Sequence, residues 1–169
     1  MSSLLSAAIT HLFSILVPTV AGTPGKADIV LASDDEKIVL PVVPGELPEL
    51  NSPQNNENFN GILGDMPVIG PMGSRTVKVE SLLPPSPTKY PWCRPNGSNA
   101  GTVINFIRKA QLSYRPIRIT IVYSNGSVYL SMKCLVNDFV YKPDNVGDYH
   151  YRLELIEYRT VTSTGGLSS

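Results

Sequence analysis

The stretch IRITIVYSNGSVYLSMKCLV, Ile117–Val136, decides the fold. Two apolar runs, Ile117–Tyr123 and Val128–Val136, flank SNGS (Ser124–Ser127), with Asn-Gly at its centre. Asn-Gly tolerates the positive φ angles that a tight hairpin turn demands, so the segment predicts two antiparallel strands and a β-rich domain. Just upstream, Asn99–Tyr114 predicts the one internal helix. Val103, Ile104, Ile107 and Ala110 share one side, Asn105, Arg108 and Lys109 the other, Ser98 or Asn99 can cap it, and Pro116 stops it.

Working outward, Ala27–Ala32 and Lys37–Val43 read as strands around the polar turn SDDE, and Gly61–Ile69 and Arg75–Leu83 as two more. Between them Pro44–Asn60 reads as a long polar loop, and Pro84–Ser98 as a proline-rich irregular stretch holding the single tryptophan, Trp92. The last strand lies in NVGDYHYRLELIEYRTV, Asn145–Val161. One parity holds Tyr149, Tyr151, Leu153 and Leu155, the other His150, Arg152, Glu154, Ile156 and Tyr158, and neither is cleanly apolar or polar, which raises the question of what covers its second face. Thr162–Ser169 reads as a frayed polar tail.

The first 26 residues stand apart. Leu4–Gly22 is almost uncharged and apolar, with Leu5, Ile9, Leu12 and Leu16 at helical spacing, and predicts an apolar helix that needs a partner to cover it. No Lys or Arg precedes it, Pro18 breaks it, and it holds His11, all of which argue against a secretory signal and a membrane span. Packing on its own domain is the equal alternative. GTPGKAD, Gly22–Asp28, lacks the glycine spacing and the hydroxyl of a phosphate loop and reads as a linker. The expected organisation is therefore 1–26 helix and linker, 27–161 β domain, 162–169 tail.

Composition excludes extremes. Of 169 residues, 42% are hydrophobic and 17% charged, and the 14 basic residues balance the 14 acidic ones, so nothing points to a disordered chain or to nucleic acid. The charge is segregated, however. Ala27–Asp65 carries acids at 28, 34, 35, 36, 46, 49, 57 and 65 against Lys37, net −7. Met66–Lys133 carries bases at 75, 78, 89, 94, 108, 109, 115, 118 and 133 against Glu80, net +8. Two solvated halves of one domain are the bland explanation, and opposite patches meeting between copies in a head-to-tail ring the sharper one. No catalytic or metal-ligand spacing is found, no cofactor is expected, and the two cysteines, Cys93 and Cys134, read as free and partly buried.

The order of motifs resembles a family. KIVLPVVPGELPE, NNENFNGILGDMPVIGPMGSRTVKVESLLPPSPTKYPW, VINFIRKAQLSYRPIRITI and VGDYHYRLELIEYRTV are collinear with segments of the LysM-type tail proteins of contractile phages and phage-like particles, including the PBSX type. The resemblance spans roughly Asp28–Val161. It implies a mainly β, α+β fold, a tail-tube-like antiparallel β-sandwich with one flanking helix, to which the residues themselves add the apolar N-terminal helix. It also implies a non-enzymatic baseplate subunit of the virion, made in the host cytoplasm and joined into a ring, expected to be a homo-hexamer, that touches tail tube, hub and wedge or sheath proteins, with no specific nucleic acid and no membrane. Two departures stand out: only eight residues follow Val161, so peptidoglycan binding through a LysM module is not expected, and the apolar leader is additional.

The residues expected to face partners are Leu5, Ile9, Leu12, Leu16, Asn55, Asn58, Phe59, Trp92, Tyr149 and Tyr151, with Asn55–Gly64 and Pro84–Pro95 as partner-facing loops. The last strand could equally be ordinary core with tyrosine hydroxyls at its rim. A cell-wall or carbohydrate-binding module, with Trp92 and nearby tyrosines as a stacking platform, is the alternative function. A secreted protein is a further one.

Overall fold

The computed structural model describes residues 27–62 and 64–160. The expected N-terminal helix with Leu5, Ile9, Leu12 and Leu16, and the C-terminal tail, lie outside them. Nine strands and one helix follow in order: β1 Ala27–Ala32, β2 Lys37–Val39, β3 Leu50–Asn51, β4 Glu57–Gly61, β5 Gly64–Val68, β6 Thr76–Leu83, α1 Ala100–Ser113, β7 Ile117–Tyr123, β8 Val128–Pro143 and β9 Tyr149–Glu157. The domain is mainly β, with every strand pair antiparallel.

Seven strands form one sheet in the order β2-β1-β7-β8-β9-β6-β3, and β4-β5 form a separate ribbon. In a flat sheet β2 and β6 would lie about 24 Å apart, at roughly 4.8 Å per strand. Ser81 of β6 nevertheless donates its hydroxyl to the Val42 carbonyl, just beyond β2, at 3.1 Å. The sheet is therefore strongly rolled, which brings its two ends toward each other. Its concave side holds the core: Ile29 and Leu31, Ile38 and Leu40, Val77 and Val79, Ile117, Ile119 and Ile121, Leu130 and Met132, Leu153 and Leu155. α1 spans the concavity from β2 to β8 and contributes Val103, Ile104, Phe106 and Ile107 to the same cluster.

The hairpin β7–β8 forms where Asn-Gly predicts it, with Gly126 at φ 83° and the Asn125 side chain accepting from the Ser127 amide. β8 runs seven residues beyond its expected end. A bulge at Asn137, between the pairs Val136↔Leu155 and Asp138↔Glu154, makes this possible. Before it the even positions Leu130, Met132 and Cys134 face inward, and after it the odd positions Phe139 and Tyr141 do. Without that extra residue the second half of β8 would turn its aromatics to solvent. Asn99 caps α1, its side chain accepting from the Thr102 amide at 2.8 Å.

The question posed by the last strand resolves by parity. Tyr151, Leu153 and Leu155 are buried, Tyr149 half-buried, while His150 and Arg152 are exposed and Glu154 and Ile156 half-buried. The polar face stays open, and its charges pair locally: Glu154 with Lys78 at 3.5 Å, Arg152 with Asp138 at 3.5 Å. Two-sided burial belongs to β1 and β7, where Asp28, Val30, Thr120 and Val122 are buried on the outer face.

Two expectations need correction. Pro44–Asn60 is not an uninterrupted loop, since it contains β3 and β4. The strand expected at Lys37–Val43 ends at Val39, where Ser98 donates its amide to the Val39 carbonyl and so covers part of that sheet edge.

Candidate interaction surface

The most exposed structured part of the chain is the β4–β5 ribbon. Its cross-strand pairs place Glu57 opposite Val68, Phe59 opposite Met66 and Gly61 opposite Gly64, so one face carries Phe59, Met66 and Val68 with Glu57 as its only charge. The other face carries Asn58, Asn60, Asp65 and Pro67. This is the apolar/polar alternation of a strand pair with a core on one side. Here neither side is covered by the described residues. Phe59 is 64% exposed, Met66 and Val68 about half, and Ile62 at the turn is entirely exposed. Ile69 and Met72 extend the open apolar surface toward the base. A separate two-stranded ribbon in water is marginal by itself, so what fixes it must lie at its root.

That root is built tightly. Asn55 and Pro71, Gly73 and Pro53 pair through the backbone, and the Asn56 side chain accepts from the Gly70 amide at 3.1 Å. A Cβ at Gly70 would overlap the Asn55 carbonyl, so only glycine lets the two segments close. Glu157, at the end of β9, then ties the root to the sheet. It accepts from Arg75 at 2.6 Å and from Arg159 at 2.7 Å, while Arg159 donates to the carbonyls of Met72 and Gly73. The Arg75 hydrogen bond, aided by Arg159, outweighs partial burial and holds the Glu157 carboxyl down at about 2.

The resulting stability is present above the ordinary value of 4.5 and is lost as pH falls toward 2. Glu157→Gln should cost about 1–3 kcal/mol at pH 7, because two guanidinium groups lose their anion. Urea unfolding of both proteins from pH 7 to pH 2.5 checks this. The difference should shrink as the wild-type carboxylate protonates, and an unchanged difference would contradict the assignment.

The proline-rich segment is partly internal framework. Cys93 and Arg94 are buried. Arg94 donates its amide to the Pro41 carbonyl and its guanidinium to the Ala27 carbonyl, and its Nε lies 2.6 Å from Asp28 on the outer face of β1. Burial raises the Asp28 carboxyl above its ordinary value, although Arg94 pulls it back. Nearby, Lys89 and Tyr90 both bond the buried Asp148 carboxylate at 2.6 Å. Burial alone would raise that carboxyl, but these two donors leave it lowered.

Trp92 stacks on Tyr90 with 4.5 Å between ring centres, yet remains 55% exposed. It lines a cleft of about 290 Å³ with Leu47, Arg94 and Tyr123. A third surface is the outer stripe of α1. Asn105, Arg108 and Leu112 follow one another at helical spacing, Arg115 comes just past the helix end, all four are exposed, and Leu112 is 79% accessible.

Of the residues expected to face partners, Phe59, Asn58 and Asn55 lie together on or beside the ribbon, and all are exposed. Trp92 stands elsewhere, on the proline-rich segment. Tyr151 is 4% exposed and packs in the core against Phe139, with a hydroxyl that burial leaves unpaired and less acidic than usual. Tyr149 is half-buried beside Tyr141. Both rings pack within the fold, but the Tyr151 hydroxyl lies inside it and not at the rim of the core. Cys134 is buried, its thiol pushed up to about 12, and Cys93 is also free and buried.

Sequence reasoning missed that the ribbon is amphipathic. The signal was present in the alternation Glu57, Phe59 against Asn58, Asn60, followed by Met66 and Val68 beyond a glycine pair. No family model matches the chain, and no curated protein matches it.

Proposed function

We propose that this chain is a structural subunit of a contractile-tail baseplate, a tube-initiator or hub-adaptor that assembles as a homo-hexameric ring between tail tube and hub. Its work is assembly, not turnover. The single observation that carries the reading is the β4–β5 ribbon: an amphipathic strand pair, clamped at its root by Glu157 and Arg159, whose apolar face has nothing over it among the described residues. A protein that worked alone would gain by replacing Phe59, Met66 and Val68 with polar residues. The rolled antiparallel sheet with one helix is compatible with the tail-tube-like sandwich that the motif order implies. Tube, hub and wedge or sheath proteins are the expected neighbours, and the virion the expected location.

A second reading, a cell-wall carbohydrate module, draws on Trp92. One face of that ring is already occupied by Tyr90, which leaves only the other for a sugar. Native mass spectrometry of the purified full chain, with electron cryo-microscopy of any particle formed, separates the two. A six-membered ring is expected. A single copy at every concentration that is retained on peptidoglycan would overturn the baseplate reading in favour of the other.

A further inference from the structure

We infer that the apolar face of the β4–β5 ribbon docks on the outer stripe of α1 in a second copy of the chain, head to tail. The inference rests on the reading above, that copies of the chain complete one another's surface, and it names the surface that receives the ribbon.

The ribbon's apolar face needs an acceptor with two properties: open apolar area for Phe59, Met66 and Val68, and a cation for Glu57 at its edge. No hydrogen bond or ion pair engages Glu57 among the described residues, and Asp65 on the opposite face is equally uncommitted. No basic residue lies between Glu57 and Val68. The outer stripe of α1 is the complement. α1 contains no acid, and Leu112 stands on its exposed side one turn after Arg108, while Arg115 follows just beyond the Tyr114 cap and is also exposed. Neither arginine has a partner among the described residues, whereas the adjoining Lys109 reaches Glu36 at 3.7 Å.

Another exposed aromatic site is less well matched. Trp92 stacks on Tyr90, and the cation over Tyr90, Lys89, is already held by Asp148 at 2.6 Å. The end of α1 adds one further feature. Tyr114 caps the helix in the left-handed conformation, φ 53°, where glycine is the usual occupant, and its side chain is 91% exposed. A tyrosine there is strained relative to glycine and places a large ring in solvent at the helix end.

Because ribbon and stripe are different surfaces, the contact is heterologous. Each copy offers both halves, so the contact propagates to a closed ring or an open filament according to the rotation it imposes.

Charge reversal in the full chain tests the inference. Glu57→Arg alone, and Arg108→Glu with Arg115→Glu, should each weaken self-association by about 10- to 100-fold, since like charges then face each other. All three positions are exposed, so circular dichroism and thermal melts should match the wild type. Mixing the two variants should restore assembly. The reversed ribbon of one meets the reversed stripe of the other, and the two unaltered surfaces meet at the next junction, which gives particles of alternating composition. Mass photometry and native mass spectrometry read both effects. If the wild type assembles and both variants assemble as well as it does, or if mixing fails to rescue them, the docking site is wrong while the subunit reading survives. If the wild type stays a single copy at all concentrations, both are overturned.

Discussion

Changing Phe59, Met66 and Val68 together to serine should abolish assembly and leave the folded chain as stable as before. The three side chains are open to solvent on one face of the β4–β5 ribbon and contribute nothing to the rolled core. In an isolated chain their replacement is therefore a surface change, within about 0.5 kcal/mol of neutral. At an interface each would be worth about 1–2 kcal/mol of buried apolar area, so losing all three should weaken association by about 100-fold or more. Sedimentation velocity over a range of concentrations measures the second effect and urea unfolding the first. The pairing of outcomes matters. A variant that assembles normally would show the ribbon to be idle surface, and a variant that unfolds much more readily would show that the ribbon supports its own domain.

The domain frame was legible because its signals are local. Asn125-Gly126 announces a hairpin, Asn99 and Pro116 bracket a helix, and the sheet grows from those two elements. Three features were not legible, each for a physical reason. The continuation of β8 to Pro143 depends on a bulge at Asn137, which reverses the inward parity and so erases the period-two pattern on which strand reading relies. The odd parity of β9 looked ambiguous because tyrosines occupy two of its four positions. In the structure those rings pack against Phe139 and Tyr141, partners supplied by the part of β8 that was not expected to exist. The ribbon was hidden because strand signals are normally weighed against a core. Glu57–Asn60 is asparagine-rich and exposed on both sides, so it reads as part of the polar loop, whereas its partner β5 lies inside the strand expected at Gly61–Ile69.

The candidate surface divides along the same line. Phe59, Asn58 and Asn55 could be selected from sequence because an exposed, polar, proline-flanked segment is a reasonable partner-facing loop. Their grouping into one amphipathic face, and the placing of Arg108 beside Leu112 on the outer side of α1, need the register of the strands and the phase of the helix. The segregation of charge along the chain anticipates the arrangement only coarsely: the acidic stretch contains Glu57 and Asp65, the basic one Arg108 and Arg115. Much of the remaining charge is used within the fold, as Arg75 with Glu157 and Arg94 with Asp28 show, and so is unavailable to a neighbour.

The largest effect on stability is expected from Arg94→Ala. Asp28 is 2% exposed and Arg94 8%, with the guanidinium 2.6 Å from the carboxylate. A buried ion pair is a modest source of net stability, because desolvation offsets most of its attraction, but removing one member leaves a bare charge in a dry site. The loss should be about 3–5 kcal/mol at pH 7. The Ala27 carbonyl, which also accepts from this guanidinium, loses its donor at the same time. Burial already lifts the Asp28 carboxyl above 3.8 against the pull of Arg94, and the alanine variant lifts it further. An acid whose folded value lies above its unfolded one binds its proton more tightly in the folded state. The penalty is then complete at neutral pH, above the folded value, and recedes as pH falls toward 3.8. Unfolding by urea at pH 7 and pH 4.5 should therefore show the gap between wild type and variant narrowing with acid, the reverse of a simple loss of packing, whose cost would be the same at both. Adding Asp28→Asn to the variant should recover much of the loss at pH 7, since it removes the charge that Arg94 was there to meet. A gap independent of pH would mean that the proline-rich segment is held by Pro41 and its own turns alone, with Arg94 free to turn outward toward a neighbour.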